Sequence, residues 1–280
     1  MEKGKIPTLC GNAQRLEKTE AIPEWVTKSE EESMISGTYR AIISSDWSEC
    51  LSPNGPFDPI SFLYPDLKAD LARIFSQYTG NLISLDAAIS QIKTLLPAPL
   101  TIGQMDEYLD ASFQTYRGVP DLIQWCLDRD ILFMINSTGT HGYFERAQAK
   151  GLLPLMPVVS ANPLVVFNAE KQRYYVNEIE DKPKNTETVF RSLNLPAEKL
   201  VVIGDSGGDG PHFHWAAQIG GHPIASMAKH SLVQYCADRG VVISSYFGLR
   251  YGRGESRDIA EEMKIDFRDL KEILLGILGL

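Results

Sequence analysis

The sequence has no apolar run approaching the roughly 20 residues a membrane-crossing helix needs, so no spanning segment is expected. The stretch before Trp25 is too polar for the apolar region of a signal peptide, and the expected location is the cytoplasm. Cysteine is scarce. Cys10, Cys50, Cys126 and Cys236 lie far apart with no paired spacing, which argues against a disulfide framework and a zinc ribbon. Positive charge is in deficit, with 27 Lys and Arg against 36 Asp and Glu and a net charge of -9. That balance disfavours a broad electrostatic grip on nucleic acid or on an anionic membrane surface. A small anionic substrate held by a metal and a few local cations stays compatible with it. Internal repeats and low-complexity tracts are also missing, which removes repeat-array and disordered readings. What is present is an ordinary globular composition, 44% hydrophobic and 22% charged over 280 residues. A chain of that length suits one large domain, or a main domain with an insertion, and buries about three quarters of its unfolded surface without a staple.

Residues 1–38 carry scattered charge without periodicity and are expected to form an N-terminal extension. The run at 41–45 (AIISS) reads as a buried strand opening onto Asp46, and the Pro/Gly/Asp-rich stretch 51–59 as a loop. Three helical patterns follow. The first, 65–77, has Leu67, Leu71, Ile74 and Phe75 on one face; the others are 84–96, with Ser84 as N-cap, and 103–116. Such an all-helical block, 53–117, reads as an inserted domain closed by the turn before Pro120, which starts a helix to Arg129. Met105, Tyr108 and Phe113 within it are most simply core.

Beyond it, strands and helices alternate. Strands are expected at 131–135, 200–203, 223–226 and 241–245, with a hairpin of 164–167 and 173–176. Helices are expected at 143–150, 186–193, 211–219 and 230–239. The pattern predicts an α/β fold, a doubly wound parallel sheet, with its ligand crevice beyond the carboxyl ends of the strands. The core spans 39–52 and 118–250, and 251–280 is a C-terminal tail ending in an amphipathic helix expected to dock on its own chain.

Four polar clusters fall at that rim: Asp46 with Ser48, then Asn136-Ser137-Thr138, then Lys182, then Gly204-Asp205-Ser206-Gly207-Gly208-Asp209. In this order, Ser-Asp-Trp-Ser-Glu-Cys-Leu, Asn-Ser-Thr-Gly, Asp-Lys-Pro and Gly-Asp-Ser-Gly-Gly-Asp resemble the four-motif signature of the haloacid dehalogenase superfamily of phosphatases and related hydrolases. The resemblance covers about residues 40–245, and the helical block resembles the small cap of its phosphoserine phosphatase-like branch. It implies a Rossmann-like core and a magnesium-dependent phosphohydrolase acting on a small phosphorylated substrate, as a monomer or homodimer.

The implied roles have physical reasons. Asp46 would attack phosphorus and form an aspartyl-phosphate. Its negative charge repels a phosphate, so a hard cation is required, and Mg²⁺ would take oxygens from Asp46, the Ser48 carbonyl and Asp205, with Asp209 as a second acidic group. Ser137 and Thr138 would bind phosphoryl oxygens and Lys182 would neutralise charge. Counting on from the end of the preceding helix favours Ser137 over Asn136 or Thr138 for the main phosphate contact, and the spacing to Asp205 favours Lys182 over Lys184.

The departures matter as much. Where most of these phosphatases carry a second Asp as acid and base, this chain has Ser48, with Glu49 in place of the usual Gly and Cys50 in place of Thr. A hydroxyl is a poor proton donor, so slow turnover of simple phosphomonoesters is expected. A frame with Asp46 as the second Asp and Ser44 in the nucleophile's place would be inactive; Leu51 favours Asp46 first. Carbon-phosphorus cleavage, which would need a cap lysine such as Lys68 or Lys93, phosphoryl transfer, and noncatalytic metal or phosphate binding are the alternatives. His212 and His214 point apart on one helix and make a poor transition-metal pair, with His212 either a substrate contact or an ordinary residue; His141 reads as a solvated helix start ahead of the alternative that it is the missing acid, and Cys50 as a packing residue.

Overall fold

Seven parallel strands carry the architecture in the computed structural model, whose described residues are 38–79, 82–163 and 174–280. They are β1 (Ala41–Ser45), β2 (Ile131–Thr140), β3 (Val158–Asn162), β4 (Tyr174–Tyr175), β5 (Leu200–Gly204), β6 (His222–Ala228) and β7 (Ser245–Arg250). Their order is β4-β3-β2-β1-β5-β6-β7. Every residue of β1 and β5 is buried, so both faces of the sheet centre are covered, as the unbroken apolar runs of a parallel sheet require. The chain builds outward from β1 to β4, then returns to lay β5 beside β1, which makes the β1/β5 junction a topological switch point.

Among the described residues, five α-helices separate β1 from β2: α1 (Asp58–Leu63), α2 (Lys68–Thr79), α3 (Leu85–Leu95), α4 (Ile102–Ser112) and α5 (Val119–Leu127). Ser84 caps α3 by accepting from the Ala87 amide, and Thr101 with Gln104 forms a reciprocal capping box on α4. The loop expected at 51–59 is irregular over 51–57, and helix α1, which the sequence reading did not expect, starts within its last two residues at Asp58. Pro53, Gly55 and Pro56 dominate the local composition, but Pro59 lies in the first turn, where its missing N–H costs nothing. The remaining helices are α6 (His141–Ala149), α7 (Asp181–Ser192), α8 (Gly210–Ile219), α9 (His230–Asp238), α10 (Ile259–Glu262) and α11 (Leu270–Leu278). Among the described residues, none is long and apolar enough to cross a membrane.

Strand β3 has no counterpart in the sequence reading, because its small residues Ser160, Ala161 and Asn162 sit between prolines and give no apolar alternation. Of the expected hairpin only residues 174–176 are described, and β4 lies among them. Ser160 pairs with Tyr174 in parallel, and residues 164–167 lie outside the described residues, as do 1–37 of the expected extension. The strand expected at 241–245 is corrected. Gly240 takes a left-handed conformation, the Val241 amide closes on Cys236, and Val242 is 76% exposed, so residues 241–244 are irregular and β7 starts at Ser245. The tail docks on its own chain. Leu270, Leu274 and Leu278 are buried, and Phe267 stacks on Tyr116 with ring centroids 5.5 Å apart.

Candidate functional site

Parallel pairing puts every strand's carboxyl end on one rim. Ser45 lies opposite Ile135 on β2 and Ile203 on β5, and the Asp46 amide donates to the Ile203 carbonyl at 2.9 Å. Asp46 therefore emerges beside Asp205, the residue after β5. Asp209 joins them four residues on, and carboxylate oxygens of the three lie within 4.8 Å of one another, all buried.

Close approach at Gly204 makes this possible. A Cβ there would sit 2.5 Å from the Asp209 carboxyl carbon, so any side chain would evict the carboxylate. Asp209 Oδ2 accepts from the amides of Asp205 (3.0 Å) and Ser206 (3.2 Å), while its Oδ1 accepts from Lys182 Nζ at 2.7 Å. Lys182 Nζ also donates to Asp46 Oδ1 at 2.9 Å, bridging two of the three carboxylates. Lys184 stays outside, exposed and paired with Asp181.

Charge balance decides how these groups titrate. Burial opposes ionisation of Asp209, but Lys182 and the two amides outweigh it and hold the carboxyl below its usual range. Burial raises Asp46 despite Lys182, and raises Asp205 to about 8 despite Lys229, with the neighbouring carboxylates adding to the shift. Burial also disfavours the Lys182 ammonium, yet Asp209 and Asp46 lift it well above the ordinary lysine range. Three crowded hard oxygen donors without imidazole or thiolate suit a hard divalent cation such as Mg²⁺ better than zinc. Cys50 is fully buried, its thiol raised well above the usual range by that burial and the three aspartates, and it is a packing residue.

The second cluster lies where the pairing of β2 and β3 breaks, between Asn136 and Thr140. Asn136 serves the scaffold. Its amide donates to the Lys182 carbonyl (2.8 Å) and to Thr186 Oγ1 (2.9 Å), fixing the first turns of α7. The Ser137 hydroxyl is buried and accepts from the Gly139 amide at 3.1 Å. It and the Ser48 hydroxyl approach Gly139 together, at 3.4 and 3.6 Å from where a Cβ would lie. Thr138 hydrogen-bonds the hydroxyl of Tyr78 on α2. Behind the site, His212 Nε2 is 2.9 Å from Thr186 Oγ1, and burial lowers its pKa to about 3, which keeps it neutral. His141 opens α6 as expected but is not solvated. It is half-buried, and burial lowers it to about 4.

Two features escaped the sequence reading. Tyr78 brings a phenol from the helical block to the rim, and its pKa is raised to about 12, first by burial. A chain of alternating charge also runs from the tail to the carboxylates. Glu262, fully buried, meets Arg257 (2.5 Å); Arg257 meets Glu49 (2.8 Å); Glu49 pairs with Lys229; and Lys229 Nζ lies 2.6 Å from Asp205 Oδ2. Glu49 has φ +61°, a left-handed conformation that costs a non-glycine residue about 1–2 kcal/mol. Its carboxylate compensates through two cations. Lys229, a cation at the carboxyl end of β6, was findable from the strand pattern, whereas nothing local marks Arg257.

Arg257→Ala is accordingly expected to lower stability by about 3–5 kcal/mol, because Glu262 is left buried without its cation. Glu49→Gly, which gives up ion pairs but relieves the left-handed strain, is expected to stay within about 1 kcal/mol of the parent. Urea unfolding midpoints of the two variants check this; equal losses would contradict it.

No protein-family model matches the sequence, and no curated protein sequence matches it significantly. Solved structures do match. A phosphoserine phosphatase described as a phospho-aspartyl intermediate analogue superposes with a TM-score of 0.61 at 17% identity, covering 84% of this chain and 99% of that one. A substrate-bound phosphoserine phosphatase gives 0.59 at 16%, covering 83% and 97%. A hydrolase of the haloacid dehalogenase family from Salmonella enterica subsp. enterica serovar Typhi gives 0.58 at 15%, covering 75% and 68%. At these identities the likeness establishes the fold alone: a Rossmann-like α/β core shared with those phosphatase and hydrolase structures.

Proposed function

We propose that this chain is a Mg²⁺-dependent phosphohydrolase acting on a small phosphorylated metabolite through an aspartyl-phosphate on Asp46. The observation that carries the reading is the buried cluster of Asp46, Asp205 and Asp209 at the switch point, with Lys182 bridging two of its members. The fold likeness to a structure described as a phospho-aspartyl intermediate analogue supports it. In this reading residues 53–117 form a cap over a core of 39–52 and 118–250, and the protein works in the cytoplasm as a monomer or homodimer.

An Asp46 oxygen attacks phosphorus, a P–O bond forms to the carboxylate, and the bond to the leaving oxygen breaks. Water then attacks the acyl-phosphate, releasing inorganic phosphate and restoring the carboxylate. Lys182 holds the Asp46 carboxylate in place and, with the Ser137 and Thr138 hydroxyls, takes up charge on the phosphoryl oxygens. Asp46, Asp205 and the Ser48 carbonyl would hold Mg²⁺, with Asp209 as the second acidic group, and the bound ion would supply charge neutralisation. Ser48 lacks the acidity to protonate a leaving alkoxide, so turnover of alkyl phosphates is slowed by about a hundredfold relative to an aspartate there. The rival carbon-phosphorus chemistry is less well supported, because Lys68 and Lys93 are exposed and the lysines paired with the carboxylates are Lys182 and Lys229.

Chelation with EDTA should lower turnover of a small-phosphate panel by about 100-fold or more, and added Mg²⁺ should restore it. Turnover unchanged by the chelator would contradict the proposal.

A further inference from the structure

One cation stands at the acidic cluster without a part in the proposed chemistry. Lys229 follows β6, and its amide donates to the Asp205 carbonyl at 2.8 Å, which anchors its backbone at the rim. Its ammonium lies 2.6 Å from Asp205 Oδ2. That oxygen is buried and receives no hydrogen bond of normal geometry, so the contact is one of charge and the oxygen stays open to a metal ion. An ammonium placed there offsets negative charge that a divalent cation needs from the same carboxylate.

Glu49 competes for that ammonium. Its Oε2 pairs with Lys229 Nζ, and its Oε1 meets Arg257 at 2.8 Å. Arg257 also donates to the Pro53 carbonyl at 3.2 Å, so the docked tail fixes both Glu49 and the loop that carries Ser48. The loop is tight, because the amides of Cys50, Leu51 and Ser52 all donate to the Trp47 carbonyl. Within it Glu49 keeps a left-handed backbone, φ +61°, directly after the residue whose carbonyl would meet the metal. Strain of this kind persists only where the surroundings over-determine it.

We infer that Glu49 is a positioning residue for the metal site: it draws the Lys229 ammonium away from Asp205 and so sets the affinity for Mg²⁺. The inference rests on the phosphohydrolase reading for the identity of the ion, and it adds a control on how tightly that ion is held. Without the Glu49 carboxylate, Lys229 keeps Asp205 as its one acidic partner and Mg²⁺ must displace it. Without the Lys229 side chain, Asp205 turns to the metal unopposed, and its carbonyl still accepts from the amide at position 229. A purely structural role for Glu49 would change stability and leave metal affinity where it was.

Calorimetric titration of Mg²⁺ into the full chain, with no substrate present, makes the test. The Kd for Mg²⁺ should rise by about 10-fold in Glu49→Gly, which suits the left-handed backbone, and in Glu49→Gln, which keeps the side chain's length. It should fall by about 10-fold in Lys229→Met. Combining Lys229→Met with Glu49→Gly should bring the cost of losing Glu49 down to about threefold or less, since the ammonium it restrains is gone. Parent-like affinity in the Glu49 variants, or weaker binding in Lys229→Met, would overturn the inference; the phosphohydrolase reading would still stand if Asp46→Asn is inactive. Turnover that survives Asp46→Asn would remove that reading, and the titrations would still decide the role of Glu49. If the Glu49 variants fail to fold, the sign of the change in Lys229→Met decides alone. No binding by the parent or by Lys229→Met would overturn both.

Discussion

Asp46→Asn is expected to abolish phosphatase turnover, by about four orders of magnitude or more, while leaving a folded protein. The amide keeps the shape of the carboxylate but cannot accept a phosphoryl group. Stability is spared because Asp46 is buried and its carboxyl is already raised by desolvation, so a neutral isostere removes a charge the interior holds at a cost. Lys182 keeps Asp209 as its partner. Turnover of p-nitrophenyl phosphate with Mg²⁺, alongside a thermal melt, checks both halves. Residual turnover near the parent level would show that another group does the chemistry.

The second large effect is expected at Lys182. Lys182→Met leaves Asp46 and Asp209 without the ammonium that lies 2.9 and 2.7 Å from them. Breaking a buried pair by removing one partner costs about 3–5 kcal/mol, and turnover should fall by about 10²–10³ with the lost phosphate contact. The stability deficit depends on pH with a definite sign. In the parent, Lys182 holds the Asp209 carboxyl below its usual range, so that contribution is present above the unfolded pKa of about 4 and is lost as pH falls through the folded value. In the variant, both carboxyls move above the unfolded value. The cost is then full at neutral pH and shrinks as pH is lowered toward about 4. Urea unfolding of the metal-free proteins across that window checks it; a deficit that grows with acidification would contradict the assignment of Lys182.

Much of this site was legible because its parts stand at predictable places. An apolar run followed by Asp46, and another followed by Gly204-Asp205, imply two strand ends on one rim whenever the sheet is parallel, and pairing of Ser45 with Ile203 sets them side by side. Lys182 was legible only through the motif, since by itself a lysine before Pro183 and ahead of the helix expected at 186–193 is equally a solvated loop cation. Asn136 shows the limit of motif reading. It shares a tripeptide with Ser137 and Thr138, yet its amide braces α7, and only the fold tells bracing from binding. Strand β3 and helix α1 were missed because local composition favoured loops and tertiary packing overrode it. The Glu262-Arg257-Glu49-Lys229 chain could not be read at all. Its members are spread over more than two hundred positions, and they meet because the docked tail returns Arg257 to the turn after β1.

Beryllium trifluoride, which imitates an acyl-phosphate, tests the central claim most directly. With Mg²⁺ present, a crystal structure should show the adduct on an Asp46 carboxylate oxygen, with Lys182 still in contact, and Asp46→Asn should bind none. An adduct on another residue, or none on a folded and Mg²⁺-loaded protein, would contradict the account.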